Sequence, residues 1–388
     1  MPGADSLALE GGYRYSSYTL GFNTNTYKLG VEWKLVQDLL VRGSYQRAVR
    51  APNIAELFTP QSVLLDFTAD PCAGATPQPT AAQCANSGVT ATQYGKIVAN
   101  PSSQYNGKVG GNPDLRPEQA DTYSVGFVLQ PHFVPNLSLS VDYYDIKIKG
   151  TVRAIGGGVI LGQCILTGDP ALCSLVHRNQ TGSLWNSQSG YVTDTTINTG
   201  SLATKGFDVK AGYRLVMANF GSLSWGLEGT RTKNRIAQPI SNGGSYDCVG
   251  FEGGTCGAPL PTWRHVLNTT WSTPWDAWDL TVRWRYLGSV KSDVTSSNPL
   301  LNQGNLPPNN SSIPAFNYID LESAFALGKI VRLQLGINNL FDKDPPRITD
   351  IDCPNVTSNP GAPCNGNTYP GSWDALGRYV FARVTAQF

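Results

Sequence analysis

The chain has 388 residues, 15% of them charged, with 29 Lys and Arg against 28 Asp and Glu and a net charge of +1. That balance excludes the concentrated basic patch of a nucleic-acid binder, and no run of about 18 apolar residues exists to build a transmembrane helix. Glycine (41), tyrosine (17) and tryptophan (9) are plentiful while methionine (2) is scarce, which leans towards β-structure.

The start, MPGADSLALEGG, lacks the basic and apolar regions of a signal peptide. From residue 6 onward, apolar and polar residues alternate with period two, and the pattern predicts strands over 6–16, 26–36 and 39–49. In the second of these Tyr27, Leu29, Val31, Trp33 and Leu35 share one face, with Lys28, Glu32 and Lys34 on the other. A long segment (50–118) leads to predicted strands 119–130 and 137–149. Another long segment (150–202) contains VILGQCILTGDPALCSLV, which reads as a short helical hairpin. Strands 203–216, 222–234, 262–272, 279–290, 317–327, 330–340 and 378–388 complete a set of twelve. Most run close to ten residues, and a tilted strand needs about 9–11 to cross a bilayer.

The connections decide which solvent the apolar face meets. Short ones (near 37–38, 131–136, 218–222, 272–277 and 328–329) alternate with long ones (about 50–118, 150–202, 235–261, 291–316 and 341–377), the first connection, 17–25, being a shorter member of the long set. In an up-and-down meander, successive connections lie at opposite ends, so the long loops share one end. All eight cysteines fall in them as local pairs: Cys72/Cys84, Cys164/Cys173, Cys248/Cys256 and Cys353/Cys364. None has CxxC spacing and the three histidines lie far from a second ligand, which argues against zinc. The short rings read as disulfides made in an oxidising compartment, each worth on the order of 3 kcal/mol of unfolded-chain entropy; eight reduced thiols are the alternative. The fold expected is an all-β antiparallel transmembrane barrel with short turns at one end and disulfide-stapled loops at the other. A soluble sandwich also alternates but gives no reason to gather every long loop and cysteine at one end. Arg283, Arg285, Asp208, Glu32 and Arg332 then face inward, because a charge on the lipid face costs about 2–4 kcal/mol at mid-bilayer.

Several segments are familiar: YQRAVRAPNIAELF (45–58), GNPDLRPEQADTYSVGFVLQP (111–131), LSLSVDYYDIKIKGTV (137–152), GSLATKGFDVKAGYRL (200–215), LGINNLFDKDPP (335–346) and the closing GRYVFARVTAQF. In sequence and order they resemble TonB-dependent outer-membrane receptors of Gram-negative bacteria. The resemblance implies a twenty-two-stranded barrel preceded by a plug domain and a TonB-contacting box. Residues 1–388 would be a C-terminal portion of the barrel domain, with about twelve strands and no separate soluble domain. Val380, Val384 and Phe388 would form the lipid-facing side of the closing strand, with terminal Phe388 read by the barrel-assembly machinery. The partners implied are outer-membrane lipid and lipopolysaccharide, TonB through the missing N-terminal region, and a small-molecule or metal-chelate substrate, most commonly a ferric siderophore. Oligosaccharide or cobalamin cargo, and a passive twelve-stranded pore or adhesin, are the alternatives.

No catalytic motif is present, no enzyme activity is expected, and no cofactor is called for. The carboxylates Asp342, Asp344, Asp350 and Asp352 lack the bidentate Glu and glycine turn of a calcium loop, so no metal is expected. Asp320 and Glu322 are expected to pair with Arg332 or Arg283 across the wall. Arg47 and Arg50, at the long-loop end of a strand, are candidate ligands for an anionic substrate; anchoring lipopolysaccharide phosphates or ion pairing with the plug is the competing role. Among loop aromatics, Tyr94, Trp185, Tyr246 and Trp373 are candidates to stack on an aryl siderophore or a sugar, with loop packing the alternative.

Overall fold

The computed structural model describes residues 5–240, 243–275, 277–302, 311–328, 330–347 and 368–386. Twelve long strands form its wall: β1 Ser6–Ser17, β2 Asn23–Val36, β3 Leu39–Arg50, β4 Glu118–Leu129, β5 Leu137–Arg153, β6 Ile197–Met217, β7 Gly221–Gln238, β8 Trp263–Ser272, β9 Trp278–Leu287, β10 Phe316–Leu327, β11 Val331–Asn338 and β12 Tyr379–Ala386. They pair in chain order, every neighbour antiparallel, and the short strand Tyr246–Asp247 adds to β7. β1 and β12 lie at the two ends of this order, so the sheet is an open portion of a barrel. Phe388 lies outside the described residues.

Register turns the alternation into two surfaces. Leu137, Tyr213, Trp225, Thr269, Val282, Leu321, Ile337 and Val380 follow one another across eight neighbouring strands as directly opposed residues. Leu9, Val31, Gly43, Val125 and Tyr143 do the same from β1 to β5. Val380 and Val384 stand exposed on this apolar face. A one-residue slip would carry every charge to it, so burial in hydrocarbon fixes the pairing.

The opposite face is polar and concave. Arg42 on β3 reaches over β4 to Asp142 on β5, making a bidentate pair at 2.8 and 2.6 Å. Gly126 lies beneath, where a Cβ would come within 2.2 Å of the Asp142 carboxylate; glycine is the residue that leaves the bridge room. Arg332 on β11 likewise crosses β10 to Asp279 on β9 at 2.8 Å, passing the small side chains of Ala324 and Ala326. Charges that skip a strand meet only where the sheet curves towards them. The expectation for Asp320 and Glu322 is corrected here. Asp320 pairs with Arg285, at 2.8 Å to each of two guanidinium nitrogens, and Glu322 accepts from Gln334. Arg283 instead donates to Asn268, its directly opposed neighbour on β8, while Arg285 is held from a third side by Asp374.

Aromatic girdles bound the apolar band. Towards the long loops Tyr45 stacks on Tyr123 at 4.7 Å and Tyr143 packs on Phe207 at 5.3 Å. Near the short turns Tyr213 stacks on Trp225 and Trp278 on Phe325, each pair within 6 Å. Rings with an apolar body and a polar edge suit the two bilayer boundaries. β6, at 21 residues, exceeds the predicted 203–216; its pairing with β5 and β7 continues into the aqueous side, where alternation is no longer required.

The long loops are folded. Segments 50–118 and 150–202 share a four-stranded sheet, in which Tyr105–Gly110 pairs in parallel with Tyr191–Thr195. Its core includes Phe67, Val89, Ile97, Tyr105, Leu161 and Leu184. Disulfides Cys72–Cys84 and Cys164–Cys173 staple this first lobe. The helical hairpin read from 159–176 is present as helices Gly157–Thr167 and Pro170–Cys173. A second lobe, from the later loops, has a three-stranded sheet, the bridge Cys248–Cys256, and a core of Val290, Ile313, Phe316, Tyr318, Tyr369 and Trp373. Cys353 and Cys364 lie outside the described residues, as do Asp350 and Asp352.

Candidate functional site

The two lobes meet over a cleft of about 670 Å³, a volume within the range of small-molecule sites. Asp66, Arg153 and Asp194 line it from the first lobe, and Tyr246, Thr255 and Leu300 from the second. Local structure sets the acidic wall. The helix Gly157–Thr167 begins with unpaired backbone amides and the positive end of its dipole. Asp194 accepts from the amides of Ile155 and Gly156 at 3.0 and 2.9 Å, and Asp66 accepts from Gly157 at 3.0 Å. Each carboxylate comes from a different long loop, so the helix start ties the loops together.

Electrostatics follow from that packing. Burial, then the neighbouring Asp194 carboxylate, push Asp66 up to about 6 against the opposing Gly157 amide. Burial also raises Asp194, while the two backbone amides and Arg153 draw it down. The Tyr246 phenol is raised by burial and pulled back by Arg153. The cleft thus offers carboxylates, a guanidinium, a phenol and threonine hydroxyls beside the apolar side chains of Leu64, Leu65 and Val159. Such a lining holds a polar ligand by hydrogen bonds. Among the described residues, no group of three or more His, Cys, Asp or Glu is arranged to hold a metal ion.

Below the cleft the inner wall has a hollow of about 550 Å³, lined by Asp208, Lys210, Glu228, Arg264, Arg285 and Tyr318 among others. The second lobe is anchored at its edge: Arg285 grips Asp374 at 2.6 Å and covers the Tyr318 ring at 4.7 Å. Tyr369 donates to the buried Glu252 at 2.9 Å.

The structure scatters the six substrate-binding candidates. Tyr246 lines the cleft. Tyr94 donates to the Pro79 carbonyl and Trp185 to that of Val98, both against the first lobe's core. Trp373 is buried in the second lobe. Arg47 is held by Asp121 in a bidentate pair at 2.7 and 3.1 Å, and Arg50 is shared between Glu118 and Glu56. These five pack against or pair with the protein's own groups. Sequence reasoning missed Asp66, Asp194 and Arg153, which no local motif marks. It also missed Arg178 and Asp70, a fully buried bidentate pair at 2.6 and 3.0 Å joining the two long loops.

Comparison with known proteins was made on this geometry. The family model for TonB dependent receptor-like β-barrels matches residues 2–340. No curated protein sequence matches the chain. Solved structures with a similar fold include a mutant ferric enterobactin receptor of Pseudomonas aeruginosa, with 15% identity and a TM-score of 0.62, covering 100% of this chain and 43% of that one. The siderophore receptor PirA of Acinetobacter baumannii has 15% identity and a TM-score of 0.59, covering 99% and 44%. The FrpB iron transporter of Neisseria meningitidis has 14% identity and a TM-score of 0.51, covering 98% and 43%. At these identities the likeness is one of fold, and the chain spans less than half the length of those receptors.

Proposed function

The chain belongs to the TonB-dependent receptor β-barrel family, whose members are outer-membrane proteins of Gram-negative bacteria, and from that premise we propose that it is wall, loops and closing strand of an uptake receptor. The 388 residues are taken as one domain, the C-terminal portion of a twenty-two-stranded barrel. The receptor binds a scarce substrate at the mouth and imports it through the lumen when TonB, driven by the proton-motive force, rearranges a plug supplied by the rest of the protein. The work is transport, without a catalytic step.

The observation that carries this reading is the cleft between two folded, disulfide-stapled loop lobes above a concave polar wall. Bare pores need no such mouth. A ferric siderophore is the cargo we assign first, because the solved receptors of similar fold are named as siderophore receptors or iron transporters; an oligosaccharide or cobalamin would use the same architecture. A passive twelve-stranded pore would need β1 to pair with β12, which stand at opposite ends of the strand order.

Uptake of radiolabelled ferric catecholate, ferric hydroxamate, cobalamin and maltooligosaccharide by cells carrying the whole receptor tests the proposal. Saturable entry of one of them, abolished by a protonophore and weakened by Asp194→Ala, is expected. Entry proportional to concentration that survives the protonophore contradicts it.

A further inference from the structure

Two hollows in the inner wall run into one another. The upper, of about 550 Å³, reaches from Phe316 and Ser372, under the second lobe, down to Lys210 and Glu228. The lower, of about 370 Å³, begins at the same Lys210 and Glu228. It continues past Gly212, Gly226 and Asn268 to Ser138 and Gln130, beside the short turn between β4 and β5. Together they make a track along β5–β8 from the loop end of the wall to its turn end. Gly212 and Gly226 are directly opposed, and a Cβ on Gly226 would meet nothing within 4 Å. The wall recedes there because two neighbouring strands both lack a side chain, which leaves room for another molecule to approach the backbone. The hollow of about 470 Å³ beside β12, by contrast, stops at Asn338 and Tyr379, the loop-side ends of β11 and β12.

Lys210 and Glu228 stand between the two hollows as a directly opposed pair, 3.7 Å apart and 68% and 71% exposed. Their other neighbours in register are Ser140 and Val266, which hold neither charge in place. Other ion pairs of this inner face are tight: Arg42–Asp142 closes to 2.6 Å, Arg332–Asp279 and Arg285–Asp320 to 2.8 Å. A loose, exposed pair contributes little and parts readily, whereas the tight ones brace the wall. Once parted, it presents an ammonium and a carboxylate at one height, so a polar solute with donors and acceptors meets both and a single sign of charge is not trapped.

We propose that this track is the route by which cargo descends the lumen, with Lys210 and Glu228 as its positioning pair, closed at rest and parted to pass cargo from the upper hollow to the lower. The inference rests on the uptake reading above: with the lumen filled by a plug, passage is left where the wall recedes.

Thiol labelling of intact cells carrying the whole receptor reads the route without reference to the cargo. Ser138→Cys, Gly226→Cys and Gly12→Cys, each alone, are exposed to a membrane-impermeant fluorescein maleimide added outside, with the parent as blank. Gly12, on β1, lies on the same polar face and also has open space at its Cβ, but stands off the track. Energised cells should label Ser138→Cys and Gly226→Cys severalfold faster than Gly12→Cys, and a protonophore should remove the excess. Adding Lys210→Ser/Glu228→Ser to Gly226→Cys should raise labelling under the protonophore by up to about fivefold, the most that an exposed ion pair supplies. Equal labelling at the three positions, or faster labelling of Gly12→Cys, would overturn the route, and unchanged labelling in the combined variant would overturn the role of the pair. Failure of the uptake reading shows elsewhere, as no protonophore-sensitive entry of any of the four radiolabelled compounds into cells carrying the parent.

Discussion

Arg178 and Asp70 show most sharply how single residues hold the mouth together. With side chains 3% and 0% exposed, they form a charge pair with no water to replace either partner. Removing one strands the other in the first lobe. Arg178→Ala should therefore cost about 3–5 kcal/mol of lobe stability, read as faster hydrogen exchange across 62–110 and 176–195 with the wall strands unchanged. Asp66 works in the opposite sense. Its folded value of about 6 lies above the roughly 3.9 of an unfolded carboxyl, so the folded lobe binds this proton more tightly. Its contribution to stability is full below about pH 4 and is lost as pH rises through about 6. Exchange at the start of the helix Gly157–Thr167 should accelerate over that window, and Asp66→Asn should flatten the dependence; a lobe that tightens as pH rises would refute the assignment. Neither pair was legible in the sequence. Arg178 and Asp70 are 108 residues apart, and nothing local distinguishes them from solvated charges. The same holds for Asp66 and Asp194, which meet only because two loops pair in space.

The strands are a different case. Period-two alternation is a local property of the chain, and each wall strand must show it because one side meets hydrocarbon and the other a polar lumen. All twelve strands were therefore readable, and so was the inward aim of Arg285 and Arg332. What the pattern could not give was length. β5, β6 and β7 run to 17, 21 and 18 residues, and their upper ends stand in water, where Asn198, Thr199 and Ser201 pair as strand without alternating apolar residues. The loop sheets were hidden for a related reason: Tyr105–Gly110 finds its parallel partner 85 residues away. Two substitutions test the wall. Val282→Arg places a guanidinium on the apolar face between Thr269 and Leu321 and should cost about 2–4 kcal/mol in reversible unfolding from lipid bilayers. Gly126→Ala, on the polar face, should destabilise by about 1–3 kcal/mol, because its Cβ would lie 2.2 Å from the Asp142 carboxylate and 2.6 Å from the Val141 carbonyl. A neutral outcome there would mean that the Arg42–Asp142 bridge contributes nothing to curvature.

At the scale of the whole molecule, an open, curved sheet carries its short turns at one end and two folded lobes at the other, with a cleft between the lobes. The second lobe is pinned to the lumen wall through Arg285, Asp320 and Asp374. Each of these assignments depends on which face of the sheet meets lipid. Nitroxide labels placed singly at positions 282 and 283, in the whole receptor reconstituted into bilayers, measure that directly. The label at 282 should be relaxed by oxygen dissolved in the acyl chains, and the label at 283 by a water-soluble nickel chelate. The reverse pattern, with 282 wet and 283 in hydrocarbon, would contradict the account.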